Sequence, residues 1–148
     1  MKRTRKILYA TDYSKASDRA FEEAIHLAKQ NNAELLVVHV LEPIPYAAGE
    51  EFGGAELYAR LEEATQREAQ SSMAKLMGRL QRFKVKAKSL LLRGSAHDQI
   101  VKAATSNRAD MIVIGTHGRT GLSKLFMGSV AAKVVSMASC PVLTVRGK

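Results

Sequence analysis

Residues 111–130 constrain the fold of this chain more than any other stretch. Residues 111–114 are apolar and mostly β-branched, and Gly115 ends the run where a buried strand would leave a sheet. A loop follows whose glycines allow positive φ and close approach of a ligand, and Gly128 with Ser129 then opens an apolar helical segment. Because a helix N-terminus carries unpaired N–H groups and a partial positive charge, this order predicts a phosphate site against Gly128 and Ser129.

The spacing within this stretch is specific. It runs Gly115, two residues, Gly118, nine residues, Gly128 and Ser129. This G-x2-G-x9-G-[S/T] pattern resembles that of the ATP-binding subgroup of the universal stress protein family. Residues 7–14 and 38–40 also resemble that family, so the resemblance covers essentially the whole chain. The alternative is that the glycines only shape a loop.

Periodic patterns along the chain predict one α/β domain, residues 1–148, of five strands alternating with four helices. The predicted strands are 7–10, 33–41, 85–92, 111–114 and 142–145, and the predicted helices are 16–30, 55–82, one following a capping box at Ser95, and 129–138. Such alternation predicts a parallel sheet with helices on both faces and a ligand site where the strand order reverses. The resemblance implies the order 3-2-1-4-5 and an adenine nucleotide alpha hydrolase-like fold.

The resemblance also implies which residues surround a bound nucleotide. The candidates are Ala10, Thr11, Asp12, Val40, Gly115, Gly118, Arg119, Gly128, Ser129 and Val130. The first four would border adenosine, and the glycines with Ser129 and Val130 would surround ribose and phosphates. Asp12 could accept hydrogen bonds from adenosine, help hold a hydrated Mg²⁺, or simply form a turn. Arg119 could approach the phosphates or stay in solvent. The implied cofactor is ATP with Mg²⁺.

Other nucleotide-binding and catalytic signatures are missing from the sequence. It contains no G-x-x-x-x-G-K-[ST], and no G-x-G-x-x-G follows the first strand, which disfavours P-loop and Rossmann enzymes. His117 lies in the glycine loop without an evident orienting partner, so we assign no catalytic residue. Nor do the histidines form a metal motif with Cys140. The chain is expected to be an ATP-binding stress-response regulator with at most slow hydrolysis. The alternative is a protein-interaction dimer that does not use ATP.

Charge and composition limit the kinds of partner that this chain is expected to have. The formal charge is +9, and a basic run without acids extends from Lys75 to Arg93. Phe83 is the only aromatic residue in that run, so we expect a solvated face rather than specific nucleic-acid binding. A single cysteine and the lack of a membrane-length apolar run favour a cytoplasmic protein without a membrane partner. The apolar last strand, Pro141 to Val145, and the resemblance predict a homodimer; the client protein is unknown.

Overall fold

The chain folds as nine alternating strands and helices in the computed structural model, which describes residues 3–45, 53–117 and 127–147. In chain order the elements are β1 (Lys6–Ala10), α1 (Lys15–Asn31), β2 (Glu34–Leu41), α2 (Gly54–Arg82), β3 (Ala87–Arg93), α3 (Ala96–Ser106), β4 (Met111–Gly115), α4 (Ser129–Met137) and β5 (Val142–Val145). Each predicted strand and helix is present, and the boundaries that were predicted agree to within two residues.

The five strands form one parallel sheet in the order β3-β2-β1-β4-β5, as the family resemblance implied. Strand β1 lies at the centre, where Leu8 is aligned with Leu36 of β2 on one side and with Ile112 of β4 on the other. The chain crosses from one side of β1 to the other between β3 and β4. The strand order therefore reverses beside the carboxyl ends of β1 and β4, which is where such sheets bind ligands.

Helices cover both faces of the sheet. On one face, α1 and α2 pack against β1, β2 and β4 through residues such as Phe21 and Leu80. On the other face, α3 and α4 contribute Ile100 and Val134 to a second apolar cluster. Because the inner strands are buried on both sides, their sequences are nearly continuous apolar runs rather than alternating ones.

Strand β3 lies at the edge of the sheet and carries charged side chains. Lys86 Nζ and Lys88 Nζ lie 3.4 and 3.9 Å from the carboxylate of Glu34 on β2. Charged side chains on an exposed edge oppose pairing with a second molecule. Within the described part of the chain, no helix is long and apolar enough to cross a membrane.

Ser14 and Ser95 each precede a helix, and they behave differently. Ser14 caps α1, and its hydroxyl accepts a hydrogen bond from the Ser17 amide at 3.2 Å. Ser95 precedes α3 but makes no side-chain cap; its hydroxyl lies 3.1 Å from Nδ1 of His97. The predicted capping box at Ser95 is therefore wrong, because the nearby imidazole takes the hydroxyl that would otherwise bond the helix amide.

Candidate functional site

A cleft of about 400 Å³ opens at the carboxyl ends of β1, β2 and β4, beside the strand-order reversal. It is lined by all eight of the candidate binding residues that the structure describes, namely Ala10, Thr11, Asp12, Val40, Gly115, Gly128, Ser129 and Val130. The other two candidates, Gly118 and Arg119, lie outside the described residues. This volume is in the range of small-molecule sites.

The loop after β1 forms the floor of the cleft, and backbone hydrogen bonds hold it. The Thr11 amide donates to the Val38 carbonyl at 2.9 Å, and its hydroxyl accepts from the Tyr13 amide, also at 2.9 Å. Tyr13 has a φ of 62°, a left-handed conformation that is uncommon for a bulky residue. The turn is therefore fixed by its hydrogen bonds rather than by intrinsic preference.

His39 braces the same loop from β2. Its Nδ1 lies 2.7 Å from the Thr11 carbonyl oxygen, and its ring lies 4.3 Å from that of Tyr13, centroid to centroid. The Tyr13 hydroxyl in turn donates to the Ala69 carbonyl of α2 at 3.1 Å. This chain of contacts joins β2, the β1–α1 loop and α2 below the cleft. The sequence marked His39 only as part of a strand.

Asp12 forms a turn, which is one of the three roles that the sequence left open. Its Oδ1 accepts a hydrogen bond from the Ser14 amide at 2.9 Å, so it shapes the turn into α1. The same residue lines the cleft. A carboxylate at this position suits Mg²⁺, which is commonly held by one or two protein carboxylates together with substrate phosphates and water.

The start of α4 differs from the predicted phosphate cradle in one respect. The Gly128 amide donates to the Thr116 carbonyl at 2.6 Å, so it is already engaged by the protein. The first bond within the helix runs from the Ala132 amide to the Gly128 carbonyl at 3.0 Å. The amides of residues 129–131 therefore have no acceptor inside the helix, and they are the groups that an anion in the cleft would contact.

Gly115 does not adopt positive φ, so the expected conformational reason is wrong for this glycine. Gly128 has a φ of −59°, and Gly115 is not among the described residues with positive φ. A Cβ on Gly128 would lie 3.1 Å from the Thr116 carbonyl oxygen. Gly128 is thus required because the loop after β4 crosses close to its backbone.

A second side of the cleft was missed by the sequence analysis. We call Thr11, Gly115 and Gly128 the inner wall. The outer wall comprises Glu42, Thr65, Ala96 and Ile100, from the segment after β2 and from α2 and α3. Glu42 Oε1 accepts a hydrogen bond from the Ala96 amide at 3.4 Å, which places a carboxylate at the start of α3.

The described lining residues provide no cationic lysine or arginine side chain to contact an anionic ligand. Their ionisable side chains are Asp12, His39, Glu42 and His117, without a lysine or arginine. Nδ1 of His117 lies 2.9 Å from the Thr116 hydroxyl. In residues 3–45, 53–117 and 127–147 no three histidine, cysteine or acidic side chains cluster as metal ligands would. Among the described lining residues, the amino end of α4 is thus the main positive feature.

A parallel sheet with a reversed strand order and a cleft at the reversal defines a doubly wound α/β ligand-binding domain. The model of the universal stress protein family matches residues 3–146. The chain belongs to this family. Its fold is of the adenine nucleotide alpha hydrolase-like type.

Individual relatives agree with this assignment over nearly their full lengths. A universal stress protein of Thermus aquaticus is 40% identical over 140 residues, covering 95% of this chain and 97% of the relative. The solved structure of MJ0577 from Methanocaldococcus jannaschii is 29% identical, covers 99% of both chains and superposes with a TM-score of 0.85. A universal stress protein solved in complex with cAMP is 26% identical over 98% of both chains, with a TM-score of 0.63.

Proposed function

We propose that this chain is an ATP-binding universal stress protein that acts as a nucleotide-dependent regulatory module. The observation that carries the proposal is the convergence of residues 10–12, Val40, Gly115 and residues 128–130 on one cleft. They come from four separate parts of the sequence. A relative with the same fold was solved with an adenine nucleotide, which supports the same ligand class for this cleft.

The proposed orientation follows from the chemistry of the cleft. The phosphates lie against the amides of residues 129–131 at the amino end of α4, where the helix dipole favours negative charge. The adenosine lies toward Val40 and the outer wall. Asp12 is placed to hold Mg²⁺ through the metal's water shell, and that ion would neutralise phosphate charge. These residues bind and orient the nucleotide.

We further propose that hydrolysis is slow. Among the described residues that line the cleft, neither lysine nor arginine is present to stabilise charge that develops in the transition state. The protein would therefore signal through the bound state, in the cytoplasm, to a client protein.

A thermal-shift titration tests nucleotide binding. ATP with Mg²⁺ at a hundredfold excess over its Kd should stabilise the fold by about 2.7 kcal/mol, because it binds only the native state. For a chain of this length we expect the midpoint to rise by roughly 5–10 °C. Mass spectrometry of nucleotide released from the denatured pure protein gives a second readout. A protein with neither bound nucleotide nor a shift would favour the interaction-module alternative.

The alternative, a protein-interaction dimer, has its own supporting observation. Strand β5 is an edge strand paired only with β4, and Val135 and Met137 on the adjacent α4 are each 46% exposed. An open edge beside exposed apolar side chains is suited to pairing with a second copy across a two-fold axis. Dimerisation is compatible with nucleotide binding, so we propose that the chain forms a homodimer as well as binding a nucleotide.

Thr144→Pro tests the dimer without disturbing the sheet. The carbonyls of Pro141 and Val145 accept hydrogen bonds from the amides of Ile112 and Thr116. Because the backbone groups of successive residues in a strand point to opposite sides, the amide of Thr144 points away from β4. Proline at this position removes only an outward donor and should yield a monomer in sedimentation velocity. Thr144→Val, which keeps the amide, should remain dimeric. A wild-type protein that is monomeric at micromolar concentration would contradict this proposal.

A further inference from the structure

The two halves of α2 are held to the domain in different ways. Its fully buried residues are Ala69, Met73, Leu76 and Leu80, all in the second half. None of residues 54–68 is fully buried, and Leu61 in this half is 40% exposed. The first half nevertheless supplies Thr65 to the outer wall of the cleft. Apolar burial therefore does not fix the position of this part of the wall.

Polar side chains, rather than buried apolar ones, connect the first half of α2 to the domain. Arg93, the last residue of β3, donates from Nη1 to Glu62 Oε2 at 2.8 Å, and its Nη2 donates to Gln66 Oε1. The Tyr58 hydroxyl donates to the other Glu62 oxygen at 3.1 Å. We call Tyr58, Glu62, Gln66 and Arg93 the Glu62 cluster. One guanidinium thus contacts two successive turns of α2, at positions four residues apart.

The cluster also reaches the segment that follows β2. The backbone of Ile44, two residues after Glu42 of the outer wall, lies near the Glu62 carboxylate. The hydrogen bond from Arg93 lowers the pKa of Glu62, so the carboxylate is ionised at neutral pH. A single charged group therefore joins the end of β3, the first half of α2 and the exit from β2, which together surround the outer side of the cleft.

We propose that the Glu62 cluster holds the outer wall in place over a bound nucleotide, with Glu62 and Arg93 as positioning residues. This inference rests on the proposed function and assigns a role to residues that do not line the cleft. When the cluster is intact, Thr65 and Glu42 stay against the ligand. When it is broken, residues 54–68 lose the described polar contacts that tie them to β3, the wall moves outward and the nucleotide leaves faster.

The chain provides a matched control for the main test. Glu63, the next residue, forms an ion pair of 2.6 Å with Arg67 on the same helix, and both side chains are more than 60% exposed. Glu62→Gln and Glu63→Gln each remove one charge and one ion pair from adjacent positions. Only the former breaks a contact with another element. Any general effect of lost negative charge is therefore the same in both variants.

Isothermal titration with ATP and Mg²⁺ should separate the two variants. We expect Glu62→Gln to raise the Kd roughly three- to tenfold, about 0.65–1.4 kcal/mol, chiefly through a faster off-rate. Glu63→Gln should bind as the wild type does. Arg93→Lys should retain part of the affinity, because an ammonium can pair with Glu62 but cannot span Glu62 and Gln66 as the guanidinium does. Equal Kd values for the two glutamine variants would overturn the inference.

Hydrogen exchange in the nucleotide-free protein makes the test independent of ATP. Amides of residues 54–68 should exchange faster in Glu62→Gln than in the wild type, whereas Glu63→Gln should leave them unchanged. Unchanged exchange in Glu62→Gln would overturn the inference even in a protein that binds ATP. A wild type that binds no ATP would contradict the proposed function instead, and the exchange result would still decide whether the cluster holds the wall.

Discussion

The inner and outer walls of the cleft are built on different physical principles. The inner wall lies at the carboxyl ends of β1 and β4: Thr11 is only 8% exposed, and Gly128 is held by a backbone hydrogen bond to residue 116. The outer wall includes Thr65, on a half-helix without a fully buried side chain. Because buried apolar area dominates stability whereas exposed polar pairs contribute little to it, the inner wall is fixed by folding itself. The α2 side of the outer wall, which carries Thr65, can change without unfolding the domain.

The largest expected effect is a difference in the free energy of unfolding between substitutions in the two halves of α2. Leu80 is 1% exposed, so Leu80→Ala should lower the free energy of unfolding by about 2–5 kcal/mol through lost burial and a cavity. Leu61 is 40% exposed, so Leu61→Ala should change it by no more than about 0.5 kcal/mol. Urea denaturation measures both. If Leu61→Ala were as destabilising as Leu80→Ala, the first half of α2 would belong to the core.

A second prediction tests whether phosphates bind at the amino end of α4, next to Gly128 of the inner wall. Ser129 is the first residue of α4 after Gly128, a position where proline is tolerated because the amide has no helical partner. Ser129→Pro should leave the free energy of unfolding nearly unchanged but remove one donor to a phosphate. A hydrogen bond to a charged group is worth about 1.5–3 kcal/mol, so ATP should bind more than tenfold more weakly.

The control for that experiment is Ser129→Ala, which keeps the amide and should bind ATP nearly as the wild type does. Calorimetric titration of the three proteins gives the comparison directly. If alanine weakened binding as much as proline, the serine hydroxyl rather than the helix amide would be the important donor. If neither variant changed the Kd, the phosphates would lie elsewhere in the cleft.

The smallest effect is a pH dependence confined to the outer wall. The pKa of Glu62 is lowered in the folded protein, mainly by the Arg93 hydrogen bond, so its contribution is present above the ordinary glutamate pKa. That contribution is lost as the pH falls through the lowered value. Burial and the bond to Glu62 raise the pKa of Tyr58, which therefore stays neutral throughout this range.

The measurement is the protection of amides 54–68 in the wild type relative to Glu62→Gln at each pH. The extra protection should be present at neutral pH and should shrink in acid, below the ordinary glutamate range. Comparing the two proteins at the same pH removes the intrinsic pH dependence of exchange. Extra protection that persisted after Glu62 was protonated would mean that the carboxylate charge is not what holds the wall.

Much of the fold followed from local patterns. The strands and helices were predicted because inner strands are apolar runs and helices repeat apolar residues at three- and four-residue steps. The parallel sheet was predicted from the alternation of strands and helices, and the strand order was implied only by the family resemblance. The Ser95 capping box failed because a histidine two residues away competes for the same hydroxyl.

The candidate site was also predicted only in part from the sequence. Sequence spacing identified the residues of the inner wall because each lies at the end of a strand or the start of a helix. It did not show that a Cβ on Gly128 would lie 3.1 Å from the Thr116 carbonyl oxygen, because that contact depends on the path of the loop after β4. It missed Thr65 because nothing local distinguishes that residue from others on a solvated helix.

What the sequence by itself determined is the set of local elements and the glycine spacing, since these depend on the intrinsic preferences of neighbouring residues. The tertiary structure alone decided which amides of α4 remain available to an anion and which residues form the outer wall. Glu62 and Arg93 are 31 residues apart and carry no shared pattern. They meet because the parallel crossover returns the chain to the same end of the sheet, and only packing in three dimensions sets that distance.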